Sequence, residues 1–169
     1  MLGAEQMLQR IIKRVKYIKA ACAEPLNSFI NQPIADVTLN QFCSMDDYDV
    51  LMAIKQWRHH PDKVLSILCE GVLNRRLLKV KYFADAVPDS LMEEKVHATK
   101  STWRLSDEEV AWLVFTGVAS SSTYHFDEEP INILYKDGSV KNISEVDNAL
   151  INENLRGKVK KQYICYPAI

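Results

Sequence analysis

The chain has 169 residues, of which 47% are hydrophobic, and its 21 Lys and Arg against 22 Asp and Glu give a formal net charge of −1. This composition is typical of a folded domain with a hydrophobic core and argues against a disordered segment. The near-neutral charge disfavours a general binder of nucleic acid or membrane surfaces, because both need a basic excess. No apolar run approaches the roughly 20 residues of a membrane span.

Helical spacing of apolar residues dominates the first half of the chain. It predicts a first helix that ends at Glu24-Pro25 and carries a solvated basic face, with the apolar stripe Leu8, Ile11, Ile12, Val15, Ile18 and Cys22. A short helix is predicted over residues 37–43, and another begins at residues 44–47, where acidic side chains suit a helix start. Its predicted stripe is Val50, Leu51, Ile54 and Trp57. Pro61 is predicted as the first residue of the next helix, which runs to Leu73.

From residue 77 onward, strands are predicted between shorter helices, with period-two alternation at 77–83 and 131–135. Strands are predicted over residues 77–83, 112–118, 131–135, 140–143 and 159–166. One helix is predicted over residues 88–103, a second follows a capping box at 106–109, and a third begins at Ser144 and Asp147. Asp137-Gly138 predicts a hairpin turn with two positive-φ residues. The predicted fold class is α+β, with N-terminal helices followed by a small mixed or antiparallel sheet with helices. We divide it into a helical region, 1–85, and an α+β region, 86–169, which contains the 131–143 hairpin.

The four cysteines, Cys22, Cys43, Cys69 and Cys165, lie far apart and form no C-x-x-C pair. Zinc sites need closely spaced ligand pairs, so the spacing disfavours a metal. Free thiols among apolar residues are typical of a reducing compartment. The predicted location is therefore cytoplasmic.

Two clusters could support catalysis or metal binding. The His59-His60-x-Asp62 run offers nitrogen and oxygen ligands, but neighbouring residues rarely point at one ion, and Pro61-Asp62 is a common helix start. His125 lies near the carboxylates of Asp127, Glu128 and Glu129, a run that is also typical of a solvated loop. No G-x-S-x-G elbow and no Gly-rich phosphate loop occurs in the sequence. The prediction is that this chain has no catalytic residue and no metal ligand.

The segment Asn74–Lys81 concentrates positive charge at a predicted helix-to-strand junction. Four cations, Arg75, Arg76, Lys79 and Lys81, fall within seven residues, and alternation places the two lysines on one strand face. Arg binds phosphate with two hydrogen bonds and Lys adds a point charge, so a nucleoside triphosphate is one candidate ligand. The alternative is a solvated edge strand, because Lys on an edge discourages pairing with other strands.

Four blocks in the middle of the chain form a familiar pattern: DDYDV at 46–50, IKQW at 54–57, HPDKVLS at 60–66 and LNRRLLK at 73–79. They resemble the region downstream of the catalytic core in HD-superfamily phosphohydrolases, the relatives of dNTP triphosphohydrolases. GAEQML at 3–8 resembles the helix that follows that core, and INILYKDGS at 131–139 resembles the tail of a bacterial branch. The resemblance covers most of the chain.

The resemblance also implies what this chain does not do. The family is defined by a divalent-metal site with a His-Asp dipeptide, and this sequence contains no His-Asp dipeptide. We therefore expect a C-terminal half that is inactive alone and needs no cofactor, since the metal belongs to the catalytic half. In regulated members the Arg-x-Leu-x-Lys pattern contacts activating nucleotides, and here it corresponds to Arg75, Leu77 and Lys79.

The function that this resemblance implies is regulation and oligomerisation. The expected partners are the catalytic HD half, further copies of the chain and a nucleotide such as GTP or a dNTP, with no membrane. We expect an apolar patch exposed without the catalytic core, and we place it on the first helix. The alternative is a stand-alone module that binds nucleic acid or protein through the basic segments 10–19 and 75–81.

Overall fold

The computed structural model describes residues 2–121, 132–142 and 159–169. Its helices are α1 (Leu2–Ile18), α2 (Leu26–Asn31), α3 (Leu39–Ser44), α4 (Asp47–Trp57), α5 (Lys63–Leu73), α6 (Asp89–Trp103) and α7 (Asp107–Val110), with a 3-10 turn at Ile34–Asp36. Its strands are β1 (Lys79–Phe83), β2 (Phe115–Ser121), β3 (Asn132–Leu134), β4 (Val140–Asn142) and β5 (Val159–Tyr166). This arrangement confirms the α+β fold class, with helices first. Among the described residues, no helix has the length and apolar character needed to cross a membrane.

Side-chain caps define most helix starts. Asp46 accepts from the backbone N–H groups of Tyr48 and Asp49, and Ser106 forms the predicted capping box with Glu109. The predicted first residue of α5 was wrong: α5 begins at Lys63, and the carboxylate of Asp62 caps it by accepting from Leu65. The first helix also ends earlier than predicted, at Ile18, before a left-handed residue.

Among the described residues, positive φ outside glycine occurs at Lys19, Arg75 and Arg104. Each of these residues directly follows the last residue of a helix or lies one residue further on. The left-handed conformation is favoured just past a helix end, because it lets the chain satisfy the last carbonyl groups. A cation at that place also interacts favourably with the helix dipole.

The helical core is centred on α1, which packs against α5. Met7, Ile11 and Val15 of α1 are buried against a helix whose Leu65 and Leu68 have no exposed surface. Near its first turn α1 approaches the chain that enters β1 so closely that a Cβ on Gly3 would lie under 3.0 Å from the Leu78 carbonyl oxygen. Only glycine fits there, so α1 and β1 are held at a fixed separation.

The main sheet has the order β1-β5-β2 and is antiparallel throughout. Directly opposed residues share a sheet face, so Val80, Cys165 and Phe115 lie on one face, which α1 covers with Arg10. On the other face, Lys95 of α6 lies over the Tyr166 ring. The pairing of β1 with β5 joins a strand before residue 85 to a strand after it. The division of the chain at residue 85 stays a prediction.

The hairpin β3–β4 forms a separate two-stranded sheet. The prediction of two positive-φ turn residues was wrong, since only Gly138 has one, with φ +84°. Tyr135 and Ser139 pair across a three-residue loop, in which the left-handed glycine is the third residue. The predicted helix at Ser144 and Asp147 lies outside the described residues.

Candidate functional site

The basic segment begins where α5 ends. The N–H of Arg75 donates to the Val72 carbonyl at 3.3 Å, and the N–H of Arg76 donates to the Gly71 carbonyl at 2.8 Å. These two bonds form the double hydrogen-bond closure of a helix C-terminus, with Arg75 in the left-handed position at φ +56°. The closure fixes the backbone of both arginines between α5 and β1.

All four cations of this segment, Arg75, Arg76, Lys79 and Lys81, are exposed. In the part of the chain that the structure describes, the ion pairs are Arg14–Asp62, Lys95–Glu94 and Lys100–Asp107, and none of them includes these four side chains. Residues 71–84 also contain no Asp or Glu. The segment therefore carries four positive charges that no described carboxylate neutralises at close range.

The predicted nucleotide-binding residues divide between two sides of β1. Leu77 lines a groove of about 280 Å³ beside the first turn of α1, together with Leu2, Gly3, Ala4, Leu78, Val80 and Tyr82. Lys79 lies on the opposite strand face from Val80, and Lys81 shares the face of Lys79, with its Nζ 5.3 Å from the Phe83 ring centre. Arg75 lies in the turn before the strand. The nucleotide-binding role of Arg75, Leu77 and Lys79 stays a prediction.

The position of β1 at an edge of the three-stranded sheet bears on the alternative interpretation. An edge strand exposes unpaired backbone groups, and lysines on it discourage pairing with other chains. Phosphate binding gives Arg75 and Arg76 a role, whereas edge protection gives them none, because both residues lie before the strand. Substitution of Arg75 therefore separates phosphate binding from edge protection.

The His59-His60-x-Asp62 run is a helix start. Asp62 accepts from Nε and Nη2 of Arg14 at 3.1 and 2.7 Å and caps α5, while the Asp62 N–H donates to Nδ1 of His60 at 3.1 Å. Burial opposes ionisation of Asp62, but the hydrogen bonds from Arg14 and the Leu65 N–H outweigh it and hold its pKa below the usual range. The described residues hold no group of three or more His, Cys, Asp or Glu suited to a metal ion. The residues of the His59–Asp62 run therefore do not fit the divalent metal that the resemblance implies.

Arg10 and Arg14, which were expected on the solvated face of α1, instead contact other elements of the fold. Arg14 is 6% exposed and pairs with Asp62, which raises the pKa of its guanidinium. Arg10 stacks over the Phe115 ring at 3.3 Å and donates to the carbonyls of Ala111 and Trp112. Burial lowers the pKa of the Arg10 guanidinium. Both side chains connect α1 to other elements, so the free basic surface of this helix is smaller than predicted.

The buried thiols are poor candidates for nucleophiles. Burial raises the pKa of Cys69 to about 12 and that of Cys165 to about 11. A thiol reacts as its thiolate, so both side chains are inert at neutral pH. The predicted His125 cluster lies outside the described residues.

The exposed apolar patch does not lie where the sequence predicts it. The apolar stripe of α1 is largely buried, and only its Leu8 is exposed. Tyr17, which lies outside the stripe, is the other exposed large apolar residue of this helix. The exposed apolar side chains concentrate instead on the segment from the 3-10 turn to α4: Ile34, Leu39, Phe42, Tyr48, Leu51 and Met52. The sequence signal was available, because α4 carries apolar residues on two faces.

Comparison with known proteins places the fold. No family model matches the chain. The uncharacterized protein YwfO of Bacillus subtilis (strain 168) is 23% identical over 178 aligned positions, which cover 97% of this chain and 39% of YwfO. A phosphohydrolase from Bacteroides thetaiotaomicron VPI-5482, known from its crystal structure, matches with a TM-score of 0.75 and 30% identity over 98% of this chain and 44% of its own.

The chain thus spans less than half the length of each of these two proteins. Its fold is phosphohydrolase-like, in the sense that nearly the whole chain superposes on part of a phosphohydrolase.

Proposed function

We propose that this chain is the C-terminal regulatory and oligomerisation region of an HD-type (d)NTP phosphohydrolase. The observation that carries the proposal is the superposition of 98% of the chain on under half of a phosphohydrolase. The sequence blocks at 46–50, 54–57, 60–66 and 73–79 supply the finer assignment to the region after an HD core. In this proposal the catalytic HD half is the partner, and it supplies the divalent metal.

The regulatory ligand in this proposal is a nucleoside triphosphate. Its phosphates bind at Arg75 and Lys79, and Leu77 provides an apolar contact beside the first turn of α1. Within one copy of the chain, exposed cations without a described carboxylate partner are available to phosphate oxygens at no cost of breaking an ion pair. The fixed backbone at the end of α5 reduces the ordering that binding requires.

Thermal unfolding in the presence of GTP, dGTP, ATP and dNTPs, each with and without Mg²⁺, tests the nucleotide site. At about 100 times Kd, a ligand that binds only the folded state contributes roughly 2.7 kcal/mol. For a chain of this size that contribution raises Tm by about 5–10 °C. We expect one nucleotide to produce this shift in the wild type and Arg75→Ala to abolish it.

Arg104→Ala is the matched control. Arg104 is also an exposed arginine with positive φ at the end of a helix, but it lies outside the basic segment. We expect the control to lower Tm to a similar degree as Arg75→Ala and to keep the nucleotide response. An equal loss of response in both variants, or no response in the wild type, contradicts the proposed site. A larger, salt-sensitive shift with a single-stranded oligonucleotide supports the nucleic-acid alternative.

The proposal also predicts that this chain alone does not hydrolyse nucleotides. Its sequence lacks the His-Asp dipeptide, and its described residues form no metal-binding group. Phosphate or triphosphate release from dNTPs with Mn²⁺ should equal the release in a protein-free blank. Turnover that copurifies with the chain through two different columns would refute this part of the proposal.

A further inference from the structure

Helix α4 carries apolar side chains on two of its faces. Ala53, Ile54 and Trp57 are buried in the core. Tyr48, Leu51 and Met52, spaced i, i+3 and i+4, are 78%, 44% and 55% exposed on another face. A helix that is apolar on more than one face is normally covered on each of them. The exposed face of α4 is therefore suited to contact with a second molecule.

The elements before α4 also expose apolar side chains. Leu39 and Phe42, three residues apart on α3, are 76% and 61% exposed, and Ile34 of the 3-10 turn is 73% exposed. Residues 34–52 also contain four carboxylates, Asp36, Asp46, Asp47 and Asp49, and no Lys or Arg. We name residues 34–52 the acidic apolar surface.

The basic segment has the opposite charge and its own exposed apolar residues. Residues 75–82 contain four Lys and Arg and no Asp or Glu. Leu77 and Tyr82 in this segment are 38% and 49% exposed. We name residues 75–82 the basic strand surface. The same chain thus presents two exposed apolar surfaces of opposite charge.

We propose that the acidic apolar surface of one copy docks on the basic strand surface of a second copy. Pairing two acidic apolar surfaces would bring like charges together, and so would pairing two basic strand surfaces. The complementary pairing brings four carboxylates to four cations and covers the exposed apolar side chains of both surfaces. This contact joins unlike surfaces, so it either forms twice in a two-fold dimer or repeats head-to-tail in a ring or an open chain. The inference rests on the proposed function and names the surfaces of its oligomerisation.

Sedimentation velocity without nucleotide tests the docking on the full chain. Because the contact is charged, we expect the association constant to fall at least about tenfold between about 0.05 M and about 0.5 M NaCl. Asp36→Lys/Asp47→Lys and Lys79→Glu/Lys81→Glu each bring the net charge of one surface to zero, and they leave the capping box of Asp46 and Asp49 intact. We expect each double variant alone to lose association. Lys13→Glu/Lys16→Glu, on exposed α1 positions, is the matched control and should associate like the wild type.

Mixing the two double variants is the decisive experiment. Each mixed pair retains one native contact, so we expect association to return in a 1:1 mixture. Failure of the mixture to associate, or normal association of either variant alone, overturns the docking while leaving oligomerisation in place. A wild type that stays monomeric in low salt overturns both the docking and oligomerisation. The nucleotide site is judged separately by the thermal experiment. Circular dichroism of each variant confirms that it is folded.

Discussion

Replacing Asp62 with alanine should strongly destabilise the chain. Asp62 holds Arg14 through two hydrogen bonds, and the two side chains are only 15% and 7% exposed. Breaking such a pair from one side leaves a buried guanidinium without a counter-charge, which costs about 3–5 kcal/mol. The N-cap of α5 is lost as well, which adds about 1 kcal/mol to the loss of stability. The summed loss of about 4–6 kcal/mol corresponds to a fall in Tm of about 8–24 °C.

Two further variants separate the ion pair from the cap. Serine is also a good N-cap, so Asp62→Ser removes the carboxylate while keeping an acceptor for the Leu65 N–H. Adding Arg14→Met to Asp62→Ser removes the unpaired charge and keeps an apolar side chain beside Trp112. We therefore expect the double variant to be more stable than Asp62→Ser alone, because two mutually paired charges are removed together.

Urea unfolding followed by circular dichroism measures these differences. Asp85→Ala, at an exposed carboxylate in a loop, is the control and should change the free energy of unfolding by no more than about 0.5 kcal/mol. A loss below about 1 kcal/mol for Asp62→Ala would refute the buried ion pair. A double variant less stable than Asp62→Ser would refute the argument that the unpaired guanidinium causes the loss.

Three other predictions concern pH, packing and thiols. The pKa of Asp62 is lowered in the folded state, so its contribution is present above the unfolded pKa and lost as the pH falls through the folded pKa, below about pH 4. Gly3→Ala should destabilise the chain by about 1–3 kcal/mol, because the added Cβ would meet a main-chain oxygen before β1. A thiol reagent at pH 8 should label exposed Cys43 rapidly, and buried Cys69 and Cys165 only after unfolding.

Each of these predictions has a result that contradicts it. Acid unfolding with the same midpoint in the wild type and in Asp62→Ser would remove the role assigned to that carboxylate. An unchanged free energy of unfolding in Gly3→Ala would show that α1 and β1 separate easily. In Cys43→Ser, we expect only the slower reaction of half-buried Cys22 in the folded chain. Rapid labelling of this variant would contradict the burial of Cys69 and Cys165.

Local sequence patterns predict much of this fold. Period-3.6 spacing identifies α1 and α5, and alternation identifies β1 and β3, although boundaries shift by a few residues. The start of β2 shifts to Phe115 because residues 110–114 form turns, with the N–H groups of Leu113 and Val114 bonded to the Val110 carbonyl. The six-residue α2 was missed because it has no side-chain cap and is too short to show a period.

Long-range contacts are what the sequence could not provide. Arg14 and Asp62 are 48 residues apart, so periodicity classed one as a solvated cation and the other as a helix start. Strand alternation gives faces but not partners, and the central position of β5 depends on closing a long connection back onto β1. The basic segment was recognisable because its charges are neighbours in sequence. The groove between this segment and α1 was not recognisable from the sequence, because it depends on the close approach of Gly3 to the Leu78 carbonyl.

A backbone-amide NMR titration of the ¹⁵N-labelled chain with GTP or the best-stabilising dNTP is the most direct test of the proposed regulatory site. The account predicts that the largest chemical-shift changes fall on residues 75–79 and on the first turn of α1, and that Arg75→Ala reduces them. Changes centred on the exposed lysines of α1, or no changes at nucleotide concentrations in the millimolar range, would contradict the account.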